Sequence, residues 1–167
     1  MKDDYREADM KDDYREALKL SNQLCFPLYA ASRNITGLYA PLLKPLGLTY
    51  TQYIVMMVLW EKDGISVTGI GERLMLDNGT LSPLLRKMEQ SGLIERHRSP
   101  DDDRVVVITL TDKGHRLREK AADIPAEMGK CVKLSPEKAR LLYDLLYEIL
   151  HGQGYGKKIS GNTGSRK

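Results

Sequence analysis

The run Asp77-Asn78-Gly79-Thr80-Leu81-Ser82-Pro83-Leu84-Leu85-Arg86-Lys87-Met88 constrains the fold of this 167-residue chain more than any other segment. Leu81, Leu84, Leu85 and Met88 fall at i, i+3, i+4 and i+7, the spacing of a buried helical stripe. The opposite side carries Asn78, Thr80, Ser82 and Arg86, short hydrogen-bonding groups plus one long cation. Pro83 interrupts the pattern. Its missing amide is harmless only if the helix starts near Gly79 or Thr80; otherwise the first turn is bent. Then come Gly92-Leu93-Ile94-Glu95-Arg96-His97-Arg98 and Asp101-Asp102-Asp103-Arg104-Val105-Val106-Val107-Ile108. Val105, Val107 and Thr109 alternate with Val106, Ile108 and Leu110, which predicts a charged β-hairpin.

Taken singly, these are an ordinary amphipathic helix and an ordinary hairpin, whose charges are simply solvated. Their order, with a short helix Val67–Leu76 immediately upstream, is the layout of a winged helix-turn-helix. The fold expected is mainly α with a small β-hairpin wing. A helix with this polar face fits base edges and phosphates in a major groove. Asp77, Asn78, Gly79, Thr80, Ser82, Pro83, Arg86 and Lys87 are its candidate DNA-facing residues. Arg96, Arg98 and Arg104 ring the hairpin turn, where an arginine can enter a minor groove.

Charge supports this only locally. The tail after Gly152 carries Lys157, Lys158, Arg166 and Lys167 and no acid, while the whole chain has a formal net charge of +3, so everything before the tail is slightly acidic. The expectation of a nucleic-acid partner therefore rests on where the cations sit. The longest apolar run, Ile54 to Trp60, is too short for a bilayer, and the N-terminus is too charged for a secretory signal. A cytoplasmic protein follows, with no membrane partner and with its two cysteines reduced by default.

Along the chain, Met1–Ala8 is repeated as Met10–Ala17. This reads as a duplicated, flexible start (residues 1–17) with Met10 a candidate initiator. Residues 18–49 read as N-terminal dimerisation helices, a long helix Leu18–Leu43 kinked or restarted at Pro27 and stopped by Pro45-Leu46-Gly47. Residues 50–110 form the winged helix-turn-helix. It opens on the capping box Thr49-Tyr50-Thr51-Gln52 and the helix Tyr50–Glu61, and Ser66 caps Val67–Leu76. Residues 111–151 hold C-terminal dimerisation helices: Thr111 caps a helix to about Cys131, interrupted at Pro125, and Ser135-Pro136 opens a last helix striped by Leu142, Leu145, Leu146 and Ile149. Residues 152–167 form a disordered basic tail. The terminal helices carry more apolar surface than a small winged domain covers, by dimerisation or as plain intramolecular core. A two-fold dimer would place two reading helices in successive grooves of a pseudo-palindromic, double-stranded DNA operator.

His97, His115 and His151 show no metal-ligand spacing, the Asp101-Asp102-Asp103 run reads as a turn of the wing, and no cofactor is expected. Cys25 lies in the apolar stretch Phe26, Leu28, Tyr29. The residues alone leave two readings open, a small buried hydrophobe or a reactive thiol.

From Leu24 to about Leu117 the chain resembles the MarR family of winged-helix repressors, and within it the organic hydroperoxide resistance repressors (OhrR type). The resemblance is carried by Asn22-Gln23-Leu24-Cys25-Phe26 with Leu28-Tyr29-Ala30, Leu48-Thr49-Tyr50 with Gln52-Tyr53, and Leu59-Trp60-Glu61. It continues in Gly71-Glu72-Arg73-Leu74, Leu76-Asp77, Gly79-Thr80-Leu81, Gly92-Leu93-Ile94 and Asp103-Arg104. The chain departs from the pattern at Pro27, Gly69 and Asn78. The resemblance implies that Cys25 is a redox sensor for organic hydroperoxides and that Tyr39 and Tyr50 support its sulfur from the partner subunit. It implies that Asp102 steadies Arg104 for the minor groove. It also makes Cys131 the candidate resolving cysteine; family members without a second cysteine form a mixed disulfide with a low-molecular-weight thiol instead. Two rivals stand beside this reading: a repressor released by a small aromatic ligand with Cys25 inert, and a thiol peroxidase enzyme turning over at Cys25.

Overall fold

The computed structural model describes residues 14–152, so most of the duplicated N-terminal segment and the basic tail lie outside the described residues. The chain divides into two compact units, Met1–Tyr39 and Ala40–Lys167.

In the first unit a 3-10 turn, Leu20–Asn22, precedes α1, Cys25–Leu38. The side-chain amides of Asn22 and Gln23 donate back to the carbonyls of Glu16 and Ala17. The expected continuous helix from Leu18 is thus broken, and α1 is not kinked at Pro27. It begins two residues earlier, so the proline lies in the first turn, where amides have no intrahelical acceptor to lose. The helix ends at Tyr39, whose amide bonds the Thr36 carbonyl at 3.3 Å. No residue of α1 is buried, and Leu24, Phe26, Leu28 and Tyr29 stand exposed.

The second unit opens with α2, Ala40–Leu43, and a 3-10 turn Lys44–Leu46 that Gly47 stops at φ +67°. Thr49 then caps α3, Tyr50–Glu61, with both halves of the capping box made: the Gln52 amide donates to the Thr49 hydroxyl at 3.3 Å, and the Thr49 amide to Gln52 Oε1 at 2.9 Å. Tyr53, Val55, Met56, Val58 and Leu59 are all buried, so α3 is the central rod of the unit rather than a one-sided surface helix. A two-residue strand β1, Ile65–Ser66, leads into α4, Val67–Leu74, capped by Ser66 on the Gly69 amide. The helix stops two residues short of the expected Leu76 because Met75 turns left-handed, at φ 56°. The Leu76 amide then closes on the Gly71 carbonyl at 3.0 Å. Gly71 is required there, since a Cβ would lie 2.7 Å from the Leu76 carbonyl oxygen.

Helix α5, Asn78–Gln90, follows with Leu81, Leu85 and Met88 buried, and Gly92 at φ +67° turns the chain into strand β2, Ile94–Arg98. Strand β3, Val106–Leu110, pairs antiparallel with β2 on one side (Arg96 opposite Ile108) and with β1 on the other (Ile65 opposite Ile108), giving the order β1-β3-β2. The hairpin agrees with the sequence expectation, and β1 is an addition to it. Helix α6, Asp112–Lys120, is capped by Thr111; α7, Ile124–Cys131, carries Pro125 in its first turn; and α8, Pro136–Gly152, starts at the proline with Ser135 accepting from the Lys138 amide at 3.4 Å. Ile108, Leu110, Leu117, Ile124 and Met128 close the core from this side, whereas Leu141, Leu142, Leu145 and Ile149 of α8 are exposed.

The start of α6 is the tightest joint. A Cβ on Gly114 would sit 2.3 Å from the Leu93 carbonyl oxygen, closer than real atoms approach. Gly114→Ala should destabilise the fold by about 2–4 kcal/mol through overpacking against backbone. Gly129→Ala, in the interior of α7 with open space around it, should be neutral or gain up to about 1 kcal/mol. Urea unfolding followed by circular dichroism measures both, and equal effects at the two sites would contradict the close approach.

Candidate nucleic-acid interface and exposed thiols

The face of α5 opposite its apolar stripe carries Asn78, Thr80, Ser82, Pro83, Arg86 and Lys87, all exposed. Asp77 opens the helix: its Oδ1 accepts the Thr80 amide at 2.8 Å, and its Oδ2 accepts the Thr80 hydroxyl at 2.9 Å. These bonds hold the Asp77 carboxyl below the usual carboxylate range, the Thr80 amide first and its hydroxyl second. Thr80, expected to offer its hydroxyl to a groove, has turned that hydroxyl inward to the cap. The Asp-x-x-Thr spacing was the available signal. The helix starts at Asn78, one residue before Gly79, so Pro83 is its sixth residue and gives the Gly79 carbonyl no amide. At the far end the Ser91 hydroxyl donates to the Lys87 carbonyl at 2.9 Å, and Lys113 Nζ to the Ser91 carbonyl at 2.7 Å. The Lys87 carbonyl also takes the Ser91 amide at 3.0 Å, so the hydroxyl is a second donor on it.

The wing turn is ordered by the Asp102 carboxylate and by backbone carbonyls. Asp102 accepts three bonds from Arg104: the backbone amide at 3.0 Å, Nε at 3.1 Å and an Nη at 3.2 Å. The guanidinium contact, then the amide, depresses the Asp102 carboxyl. The Arg104 side chain remains 90% exposed, held by its inner edge with the rest of its length in solvent. Arg98 donates to the Asp103 carbonyl, and the Ser99 and Val105 amides close the turn at 2.8 and 2.9 Å. Arg96 is half-buried. His97 reaches Thr109 at 3.1 Å and Glu95 at 3.3 Å along the strands. Asp63, read from sequence as a turn, also ties the sheet to the end of α3: its Oδ1 accepts the Gly64 and Leu110 amides, each at 2.9 Å.

Cys25 is the first residue of α1 and Cys131 the last of α7; both thiols are free and exposed. Tyr39 follows α1 and Tyr50 is the first residue of α3, both half-buried. Tyr39 lies fourteen positions after Cys25, about 21 Å along the axis, so a phenol at Tyr39 does not reach the thiol of its own helix. Tyr29, one turn beyond Cys25, is engaged with Arg33: the Arg33 Nη1 donates to its hydroxyl at 3.2 Å, and the guanidinium lies 5.5 Å from the ring centre. Among the described residues no cluster of His, Cys, Asp and Glu is placed to hold a metal ion, and no single helix is long and apolar enough to cross a membrane.

A helix stacked on a core with its polar face outward, followed by an arginine-tipped hairpin in a three-stranded sheet, defines a winged-helix regulator. Residues 37–121 match the family described as transcriptional regulator SarA/Rot. The organic hydroperoxide resistance transcriptional regulator of Bacillus subtilis (strain 168) is 50% identical over 133 residues, 80% of this chain and 90% of that protein. Reduced AbfR bound to DNA, from Staphylococcus epidermidis, superposes with a TM-score of 0.68 at 34% identity, over 84% of this chain and 98% of that one. The disulfide form of AbfR gives 0.56 at 35% identity, over 86% and 98%. The chain belongs to the MarR family of winged-helix transcriptional regulators, and these relatives are regulators rather than enzymes.

The depressed Asp77 carboxyl has a consequence for stability. A folded-state value below the unfolded one means that its stabilisation is complete above the unfolded value and fades as pH falls through the folded one. Asp77→Asn keeps an N-cap acceptor without the titration, so its stability should fall less steeply than wild type as the solution is acidified below about pH 4. Urea midpoints across that range read it directly; parallel acid limbs would show that the cap carboxylate contributes nothing.

Proposed function

We propose that this chain is a homodimeric repressor that holds a pseudo-palindromic DNA operator through α5 and the wing, and lets it go when Cys25 is oxidised by an organic hydroperoxide. The observation that carries the reading is the joint presence, in a chain 50% identical to an organic hydroperoxide resistance regulator, of an exposed cationic α5 face and an exposed thiol at the head of α1. In the dimer two copies of α5 enter major grooves one helical turn apart, about 34–36 Å. Asn78 and Ser82 face base edges, Arg86 and Lys87 the flanking phosphates, and Arg104, steadied by Asp102, the minor groove. Arg96 and Arg98 add positive charge at the wing. The exposed apolar side chains of α1 and α8 form the dimer interface, which also fits the 21 Å gap: a Tyr39 that supports Cys25 comes from the other subunit.

Oxidation begins when the Cys25 thiolate attacks a peroxide oxygen. An S–O bond forms, the O–O bond breaks, and the alkoxide leaves, taking a proton from solvent to become the alcohol. The sulfur loses two electrons and becomes a sulfenic acid. The Cys131 thiol of the other subunit then attacks that sulfur, water leaves, and a disulfide remains; a low-molecular-weight thiol can replace Cys131 in the same step. Either product moves the terminal helices and with them the spacing of the two reading helices. The AbfR structures, described as reduced on DNA and as disulfide-formed, support a thiol chemistry of this kind in a relative. The natural targets are the promoter of a thiol-dependent peroxidase gene and the repressor's own.

Arg86→Ala and Arg104→Ala should each weaken operator binding, and a variant that no longer neutralises one phosphate should show a salt dependence flatter by about 0.9 log–log units. Wild-type affinity and slope in both would remove these residues from the interface. Cys25→Ser should bind operator as wild type does but ignore cumene hydroperoxide, and release that persists in this variant would place the sensor elsewhere. Peroxide alone should give a covalent dimer on non-reducing gels, abolished in Cys131→Ser. If wild type stays monomeric and its mass shows only a small-thiol adduct, Cys131 is not the resolving thiol.

A further inference from the structure

The proline inside α5 is the least expected residue on that helix. Pro83 is exposed, buries nothing and removes the amide that the Gly79 carbonyl would otherwise receive, so for the stability of the helix it is a poor choice. It stands opposite the buried Leu81, Leu85 and Met88, at the middle of the outward face, one turn after Gly79 and one turn before Lys87. Gly79 has no side chain to cover the ring. Thr80, three residues before, has its hydroxyl proton committed to Asp77 at 2.9 Å, so it has no donor left for a partner and offers its methyl and the acceptor side of its oxygen. The centre of an otherwise polar and cationic face is therefore a small apolar patch, a pyrrolidine ring beside a threonine methyl, flanked by the cations Arg86 and Lys87.

Resting on the DNA-binding reading, we infer that Pro83 and the Thr80 methyl read thymine, by apolar contact with its C5-methyl group in the major groove. The thymine methyl is the one apolar group that a base pair presents there, and the flanking cations bring the phosphate backbone to either side of the patch. Arg86 and Lys87 then supply affinity for any duplex, and the Thr80–Pro83 patch supplies choice among sequences. A residue that breaks a local folding rule at an exposed position with no packing return is expected at a functional site.

Replacing thymine by uracil deletes only that methyl. The probe is a duplex selected by the reduced wild-type protein from a random-sequence pool, with each thymine changed to uracil in turn. Wild type should lose about four-fold in affinity per methyl at one or two positions in each half-site, about 15-fold when both symmetric positions are changed. Pro83→Ala restores the helix amide, and Thr80→Ser keeps the bond to Asp77 while losing the methyl. Each variant should bind the thymine duplex about as weakly as wild type binds the uracil one, and should show no further loss with uracil at its own position. A wild type that selects a duplex yet is indifferent to every uracil overturns the inference and leaves DNA binding standing, as do variants that retain the full uracil penalty. Failure to select any duplex over random competitor overturns the DNA-binding reading itself.

Discussion

The close approach of Gly114 to the Leu93 carbonyl is what the reading end of this protein depends on. Three bonds converge on the same few residues: the Thr111 amide to the Leu93 carbonyl at 3.1 Å, the Thr111 hydroxyl to the Gly92 carbonyl at 2.7 Å, and the Trp60 indole to the Gly114 carbonyl at 3.0 Å. Together they fasten the end of β3 and the head of α6 to the loop that leaves α5, and fasten both to the central helix α3. A hairpin rooted this way can carry charge at its tip without a core of its own. Were residue 114 to carry a Cβ, the start of α6 would have to move out, and the root of the wing would loosen with it.

From that joint the polar surface follows by subtraction. Leu81, Leu85 and Met88 are held in the core next to α3 and α4, and a helix pinned on one side must show its other side to solvent. The side chains shown are not left free to wander. Asp77 holds the first turn through Thr80, and Asp102 holds Arg104 by one edge of the guanidinium. Such preorganisation lowers the entropy lost when a partner is bound.

Much of this was legible in the sequence, because it rests on interactions local to a few residues. The Thr49/Gln52 capping box, the caps at Ser66 and Thr111, the α5 stripe and the hairpin are all short-range patterns, and the structure has each of them. The differences come from elsewhere. Strand β1 has two residues, and only its pairing with β3 makes it a strand. The start of α1 at Cys25 depends on Asn22 and Gln23 folding back on the preceding turn, which no periodicity encodes. Met75 adopts a left-handed backbone that glycine or asparagine would have announced. Pro83 argues locally for a late helix start, whereas the bond pair from Asp77 to Thr80 fixes the start at Asn78 in spite of it. For the candidate site, sequence proposed the residues but not the direction of their bonds, and it therefore assigned the Thr80 hydroxyl to the groove.

The acids at this surface also resolve an oddity of charge. Before its basic tail the chain is slightly acidic, which argues against a surface that attracts DNA by bulk potential alone. Asp77 and Asp102 do not act as free negative charges, however. One is held ionised by the amide and hydroxyl of Thr80 at a helix N-terminus, the other is paired with the guanidinium it orients. Their contribution is to aim neighbouring groups, not to repel phosphate. On the proposed reading the attraction is left to Arg86, Lys87, Arg98 and Arg104, which lie on the α5 face and the wing tip and nowhere in the core. On that reading the protein meets DNA with few cations at fixed places, and its preference among sequences depends on the groups between those cations. On α5 those groups are the Thr80 methyl and the ring of Pro83.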